Sequence, residues 1–120
     1  MRHRFEENIG QLVLRMPAEL DHHSAEIMRR ETDILMTRYP VRNIVFDFQD
    51  TVFMDSSGIG AILGRCRNLK FARGKAAAIH LSPQIQRIFR VSGLHKVIEC
   101  SDLEEVREGF PLTMNGYIKE

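Results

Sequence analysis

Residues 52–65, VFMDSSGIGAILGR, mark the point where the hydrophobic periodicity of this chain changes. Just before them, Asn43 to Phe48 is rich in β-branched and aromatic residues, which predicts a strand. After Gly58, apolar residues recur at helical spacing as far as Phe71. The segment therefore predicts a strand, a tight turn at 55–58 and a helix.

The residues before this segment add a hairpin and a further helix. Gln11 to Met16 places apolar residues at alternate positions, as a half-buried strand does. The turn-forming residues 8–10 predict a hairpin that returns onto Arg2 to Glu7. Asp21 is an N-cap candidate, and Ser24 a second one, for a helix that runs to about Arg38. The chain thus opens with two strands and then enters a helix.

Caps and terminators divide the rest of the chain into alternating elements. Gly74 is predicted to end the helix that follows Gly58, and Ser82-Pro83 to begin the next one. The predicted elements of this part are a strand at 75–81, a helix from 83 to Gly93, a short strand at 96–100 and a last helix from Ser101 to Phe110, which a capping box opens.

The order of these elements predicts the fold class. Helices and strands that alternate along a chain form βαβ crossovers with parallel strands, and the opening hairpin adds an antiparallel pair. We therefore expect an α/β fold in which four helices flank a mixed, mostly parallel sheet of four to five strands. No Pro/Gly/Ser-rich linker divides the chain, so one domain at 1–110 and a polar C-terminal tail at 111–120 are predicted.

Composition excludes several function classes. The 120-residue chain carries 17 Lys+Arg and 16 Asp+Glu, a formal net charge of +1, which argues against a broad nucleic-acid or anionic-membrane surface. No apolar run approaches the roughly 18 residues of a membrane helix, and the start lacks the apolar core of a signal peptide. Two cysteines, Cys66 and Cys100, are too few for a disulfide framework, which is typical of a reduced, cytoplasmic protein.

The turn at 55–58 brings a serine hydroxyl to the start of a helix. The first amides of a helix lack partners within it and carry the positive end of its dipole, so phosphate on Ser56 would be tolerated there. The ordinary alternative is a serine that only caps the helix. Gly60 and Gly64 lie together beside the apolar stripe. They would admit either a neighbouring element of the same chain or the backbone of a partner.

Residues 52–65 resemble the signature of the bacterial anti-sigma factor antagonists, which have the STAS-domain fold. The similarity extends from about Gln11 to Phe110 and is greatest to the sporulation sigma-F antagonists. Ala18 departs from the pattern, because glycine is usual there, and the alanines at 76–78 are less bulky than usual. Three further segments match the loop before the first helix, a strand-to-helix junction and the end of the third helix: ELDHH at 19–23, IHLSP at 79–83 and RIFRVSGL at 87–94.

The resemblance implies a regulatory protein rather than an enzyme. Members of this family bind an anti-sigma factor that is also a serine kinase, and binding releases the sigma factor. The kinase phosphorylates the serine directly after the motif aspartate, which abolishes binding, and a PP2C-type phosphatase restores it. We expect no catalytic residue, metal or cofactor, and no direct contact with nucleic acid or membrane.

Carried onto this sequence, the resemblance makes Ser56 the phosphoacceptor, framed by Asp55, Ser57 and Gly58. The implied partner-binding residues belong to the starts of two helices: Asp21, His22, Ile59, Gly60, Ile62, Gly64 and Arg65.

Three other functions stay open at this point. The same fold could serve as a scaffold or a stressosome-type regulatory subunit. A serine hydrolase would use Ser56 as its nucleophile, but the glycine of a nucleophile elbow is missing, because Met54 stands two residues before Ser56. A metal site at residues 21–23 is weaker still, since adjacent histidines on a helix diverge by about 100°.

Overall fold

A computed structural model describes residues 2–100 of the chain. Strands and helices follow one another over this range largely in the predicted order, with two additional short strands at 19–20 and 53–54 that the sequence did not predict. The helices are α1 (His22–Arg38), α2 (Ser56–Phe71) and α3 (Pro83–Ser92), with a short 3-10 helix at Leu94–Lys96. The strands are β1 (His3–Glu6), β2 (Gln11–Arg15), β3 (Glu19–Leu20), β4 (Asn43–Asp47), β5 (Phe53–Met54), β6 (Lys75–Ile79) and β7 (Glu99–Cys100).

Five of the strands form one mixed sheet in the order β1-β2-β4-β6-β7. β1 and β2 are the predicted antiparallel hairpin, and the other neighbours are parallel. The register aligns Leu12 with Ile44, and Ile44 with Ala76. The predicted α/β class and the mixed sheet of five strands are therefore confirmed. Alanine is a weak strand former, but β6 lies between two partners, and this pairing outweighs local propensity.

One buried cluster joins a face of this sheet to the three helices. Burying a large apolar side chain contributes roughly 1.5–3 kcal/mol, so this cluster is the main source of stability. A smaller cluster around Val45 and Ala77 uses the alternate residues of the same strands. The large cluster includes Leu14 and Phe46 of the sheet, Met28 of α1, Ile62 of α2 and Phe89 of α3.

A buried carboxylate ties the ends of three neighbouring strands together. Asp47, the last residue of β4, is fully buried and accepts a hydrogen bond of 3.1 Å from Arg15 Nε at the end of β2. Its Oδ1 atom lies 2.8 Å from Nδ1 of His80, which follows β6, and 2.9 Å from the backbone N of Gln49. A buried carboxylate needs such partners to offset its lost hydration.

The ends of α1 and α3 follow the predicted chemistry. Asp21 caps α1, Ser82 caps α3, and Pro83 is the first residue of α3. Gly93 ends α3 in the left-handed conformation with φ of 83°, where the absence of a Cβ removes the steric cost. These helix ends could be predicted from the sequence because capping depends on the types of a few neighbouring residues.

The end of α2 differs from the prediction. This helix ends at Phe71, and Arg73, not Gly74, takes the left-handed conformation, with φ of 61°. Gly74 has another reason to be glycine: a Cβ at this position would overlap the carbonyl oxygen of Arg42. The backbone N of Gly74 also donates a hydrogen bond of 2.7 Å to the carbonyl oxygen of Leu69. Close approach of two backbones, rather than turn geometry, requires this glycine.

The predicted strand at 96–100 is wrong over its first part. Leu94–Lys96 is a 3-10 helix, and only Glu99–Cys100 pairs with β6. The structure contains three of the four predicted helices within residues 2–100. The fourth helix, predicted from Ser101 to Phe110, the tail at 111–120 and the domain boundary between them lie outside the described residues.

Gly74→Ala is expected to lower the free energy of unfolding by at least about 2 kcal/mol, because the backbone of residue 42 must move to admit the new methyl group. Gly64→Ala is the matched control, since a Cβ there meets no atom within 4 Å. Urea unfolding followed by circular dichroism measures both variants. A stability loss of the same size in the two variants would contradict the close approach at residue 74.

Candidate functional site at two adjoining helix starts

A second, two-stranded sheet places the starts of α1 and α2 side by side. β3 and β5 are parallel, with Glu19 opposite Phe53 and Leu20 opposite Met54. The residue after each strand is an aspartate, and the backbone N of Asp55 donates a hydrogen bond of 3.3 Å to the carbonyl oxygen of Leu20. Because each strand leads directly into a helix, the pairing brings both helix N-termini to one place.

The start of α1 is held by a capping box. The Asp21 carboxylate accepts a hydrogen bond of 3.0 Å from the backbone N of Ser24, and the backbone N of Asp21 donates one of 3.0 Å to the Ser24 hydroxyl. The hydrogen bond from the Ser24 backbone N–H, together with one of 2.9 Å that the Ser24 hydroxyl donates to the same carboxylate, lowers the pKa of Asp21 below its usual value. The carboxylate is therefore ionised at neutral pH. His22 is the first helical residue, and its side chain is exposed.

Asp55 caps α2 through its carboxylate alone, without the reciprocal bond of a capping box. Its Oδ1 atom accepts hydrogen bonds of 2.9 Å from the backbone N of Ser57 and 3.2 Å from that of Gly58. Ser56 is the first helical residue, so the alternative of a serine that only caps the helix is wrong. Ser56 is exposed, and its hydroxyl has no hydrogen bond to any other residue between 2 and 100. The adjacent aspartate thus leaves the Ser56 hydroxyl available.

The neighbouring hydroxyl is in a different position. Ser57 is half-buried, and its Oγ atom lies 3.3 Å from Nδ1 of His22. This contact joins the first turns of α1 and α2, across residues far apart in sequence. The sequence contained both residues, but no local signal linked them.

Gly58 is the point of closest approach between α2 and the small sheet. A Cβ at residue 58 would lie 2.5 Å from the carbonyl oxygen of Leu20 and 2.9 Å from Cγ of Met54. Real Cβ atoms do not approach a backbone oxygen so closely. Gly58 therefore lets the two helix starts approach each other closely.

Gly60 and Gly64 have the opposite surroundings. A Cβ added at either residue would meet no atom within 4 Å. The alternative of close packing against the same chain therefore finds no support among residues 2–100. With Ser56 they are spaced four residues apart, so the three residues form one stripe along α2. We call Asp21, His22, Ser56, Gly60 and Gly64 the contact surface.

Three of the predicted partner-binding residues differ from expectation. Ile62 is fully buried in the core, so its side chain is not on the surface of the helix. Arg65 is only 7% exposed, and its Nε atom lies 3.5 Å from Oδ1 of Asp33 on α1. Ile59 is half-buried and packs against the core. The motif runs continuously through α2, whereas a helix exposes only one side of it, which explains the correction at 62 and 65.

Sequence reasoning missed two exposed apolar residues beside this surface. Val52 is 58% exposed and Phe53 is 45% exposed, directly before Met54 and Asp55. Their position in an apolar run predicts burial, but β5 is only two residues long and leaves both side chains accessible.

Other chemistries are not assembled here. Within residues 2–100, no group of three or more His, Cys, Asp or Glu side chains could hold a metal ion. His22 faces Ser57 rather than Ser56, and no carboxylate of the described part of the chain forms a hydrogen bond with its ring. The arrangement that a serine hydrolase needs is thus missing from these residues. None of the helices in this range is long and apolar enough to cross a membrane.

The fold corresponds to that of a known family. Residues 2–107 match the STAS domain family. The chain belongs to the STAS domain family.

Relatives of this STAS domain include regulators of sigma factors. The anti-sigma F factor antagonist of Paenibacillus polymyxa is 35% identical over 99 residues, which are 82% of this chain and 85% of that protein. The structure of the anti-sigma factor antagonist SpoIIAA in its unphosphorylated form is 32% identical with a TM-score of 0.71, covering 87% of this chain and 91% of SpoIIAA. The phosphorylated form from Bacillus is also 32% identical, with a TM-score of 0.64 and coverage of 87% and 95%.

Gly58→Ala is expected to lower the free energy of unfolding by at least about 2 kcal/mol, because Leu20 must move away from the new methyl group. Gly60 lies two residues further along the same helix. Gly60→Ala is expected to raise the free energy of unfolding by up to about 1 kcal/mol, because alanine favours helix and a Cβ at this position meets no atom within 4 Å. Thermal and urea unfolding measure both changes. Equal effects of the two substitutions would contradict the geometry described at the start of α2.

Proposed function

We propose that this STAS domain is an anti-sigma factor antagonist controlled by phosphorylation of Ser56. In its unphosphorylated form it binds an anti-sigma factor that is also a serine kinase, and the sigma factor is released. Phosphate on Ser56 abolishes this binding. The observation that carries the proposal is an exposed hydroxyl at the start of α2 that Asp55 frees from capping, in a chain similar to SpoIIAA.

The position of Ser56 suits a removable charge. A phosphate brings a charge of about −1.5 to −2 and three acceptor oxygens. At the first residue of α2 it would lie at the positive end of the helix dipole, which favours an anion there. The Ser56 side chain is exposed, so neither the kinase nor a phosphatase has to unfold the domain to reach it. Phosphorylation should therefore change the folded structure little.

The same phosphate should have a large effect on a partner. The stripe of Ser56, Gly60 and Gly64 has little side-chain volume, so a partner can approach the backbone of α2 closely. A phosphate at the start of this stripe adds bulk and an unpaired charge, and Asp21 and Asp55 already make this place acidic. Burying an unpaired charge costs several kcal/mol, and about 1.4 kcal/mol is tenfold in affinity. Phosphorylation of Ser56 should therefore lower the affinity for the partner by orders of magnitude.

The remaining parts of the proposal follow from this cycle. A PP2C-type phosphatase would remove the phosphate and restore binding, and both reactions would take place in the cytoplasm. The domain acts by occupying its partner, so it needs no catalytic residue of its own. The near-balanced charge of the chain supports a protein partner rather than nucleic acid.

Ser56→Asp is expected to weaken binding to the anti-sigma F factor of Paenibacillus polymyxa at least about 100-fold, because the carboxylate carries part of the phosphate's charge into the interface. Its melting temperature should stay close to that of the unsubstituted protein. Ser56→Ala should bind normally and accept no phosphate. Isothermal calorimetry, circular dichroism and mass spectrometry measure the three properties. A large fall in melting temperature with unchanged affinity would refute the proposal.

Gly60→Ala is expected to weaken the same binding at least about tenfold although it does not destabilise the helix, because the added methyl group holds the partner away from α2. Asn68→Ala is the matched control: it is an exposed residue of α2 outside the contact surface. Calorimetry with the same anti-sigma factor measures both. Unchanged affinity in Gly60→Ala would remove the stripe from the proposed interface.

A further inference from the structure

We propose that His22 is a specificity-determining residue that engages the hydroxyl of Ser57 and so directs phosphorylation to Ser56. This inference rests on the proposed function, because it concerns which hydroxyl the kinase modifies. The geometry points to it: Nδ1 of His22 lies 3.3 Å from Oγ of Ser57, whereas the Ser56 hydroxyl has no hydrogen bond within the described range.

Because Ser56 and Ser57 are adjacent, the kinase could phosphorylate either one, and the surroundings of each serine in this domain contribute to the selection. Both belong to the first turn of α2 and follow the same capping aspartate. They differ in their own surroundings: Ser56 is exposed, whereas Ser57 is half-buried and donates its backbone N–H to Asp55 at 2.9 Å. The hydroxyl of Ser57 is the one that already has a partner, and that partner is on another helix.

The fold holds the imidazole in place. His22 is the first residue of α1, and the capping box of Asp21 and Ser24 fixes the backbone on which it is carried. The pairing of β3 with β5 fixes the distance between the two helix starts. A side chain 35 residues away in sequence is thereby presented to Ser57 and not to Ser56.

The hydrogen bond opposes reaction at Ser57. In phosphoryl transfer the serine oxygen bonds to the γ-phosphorus of ATP, the bond from that phosphorus to the β–γ bridging oxygen breaks, ADP leaves, and the hydroxyl proton passes to a base on the kinase. An oxygen paired with His22 must first give up that bond and turn outward. One hydrogen bond contributes enough to slow the reaction about twofold to tenfold. Ser56 bears no such cost.

His23 provides a control for this inference. It is the next residue of α1, it is exposed, and it has no hydrogen bond to Ser57. Consecutive helical residues point about 100° apart, so His23 presents the same chemical group in a different direction. Replacing either histidine removes an exposed imidazole near the start of α1. Only the replacement of His22, which belongs to the contact surface, frees the Ser57 hydroxyl.

The test compares His22→Ala with His23→Ala in the full chain. Each variant is incubated with the anti-sigma F factor of Paenibacillus polymyxa and ATP, and peptide mass spectrometry measures the ratio of phosphate on Ser57 to phosphate on Ser56. We expect a ratio about twofold to tenfold higher in His22→Ala and unchanged in His23→Ala. Because both sites are read in the same reaction, the ratio does not depend on the overall affinity of each variant for the kinase. An unchanged ratio in His22→Ala overturns the inference.

A second measurement needs no kinase. The ring ¹⁵N resonances of His22 are recorded in the unsubstituted protein, in Ser57→Ala and in Ser56→Ala. We expect Ser57→Ala to shift the Nδ1 resonance of His22 and Ser56→Ala to leave it in place, and equal spectra in all three proteins overturn the inference. If the unsubstituted chain takes no phosphate on either serine, the proposed function fails, whereas the spectra still decide whether His22 holds Ser57.

Discussion

The parallel pairing of β3 with β5 is the constraint on which the functional surface depends. The pair consists of two residues from each strand, and each strand leads into an aspartate that caps a helix. Two helix starts are thereby fixed beside each other at one edge of the domain. Gly58 makes this possible, because any side chain there would collide with the carbonyl oxygen of Leu20.

In this arrangement, the residues that stabilise the start of α2 and its packing differ from the residues that α2 exposes. Asp55 accepts hydrogen bonds from two free amides of α2, those of Ser57 and Gly58, so the Ser56 side chain is not part of this cap and a change at Ser56 leaves the cap in place. Ile62 and Arg65, although part of the same motif, face the interior and α1. Gly60 and Gly64 each cost the helix about 1 kcal/mol relative to alanine and stabilise nothing within the described residues, which is explicable if an external partner uses the space.

Charge at this edge explains why a small modification should have a large consequence. The hydrogen bonds that Ser24 donates lower the pKa of Asp21, and Asp55 lies at the next helix start. The helix dipoles offset this negative charge within the folded domain. A partner that excludes water from the same edge would meet an additional phosphate without compensation, and charges cost most where water is absent. Under the proposed function, phosphate on Ser56 would thus lower the affinity for the partner while the domain stays folded.

The sequence by itself determined the order of the three helices and of the strands of the large sheet, the caps at Asp21, Ser82 and Gly93, and the motif around Ser56, because these depend on residues close together in the chain. It did not predict β3 and β5, which are only two residues long and pair segments far apart in sequence. It did not determine which residues of α2 face outward, why Gly74 is glycine, or that His22 contacts Ser57. Those features depend on the distance between segments that are remote in sequence, and only the packing of the sheets and helices sets that distance. Local chemistry thus specified the elements, and tertiary contacts decided which of their atoms a partner can reach.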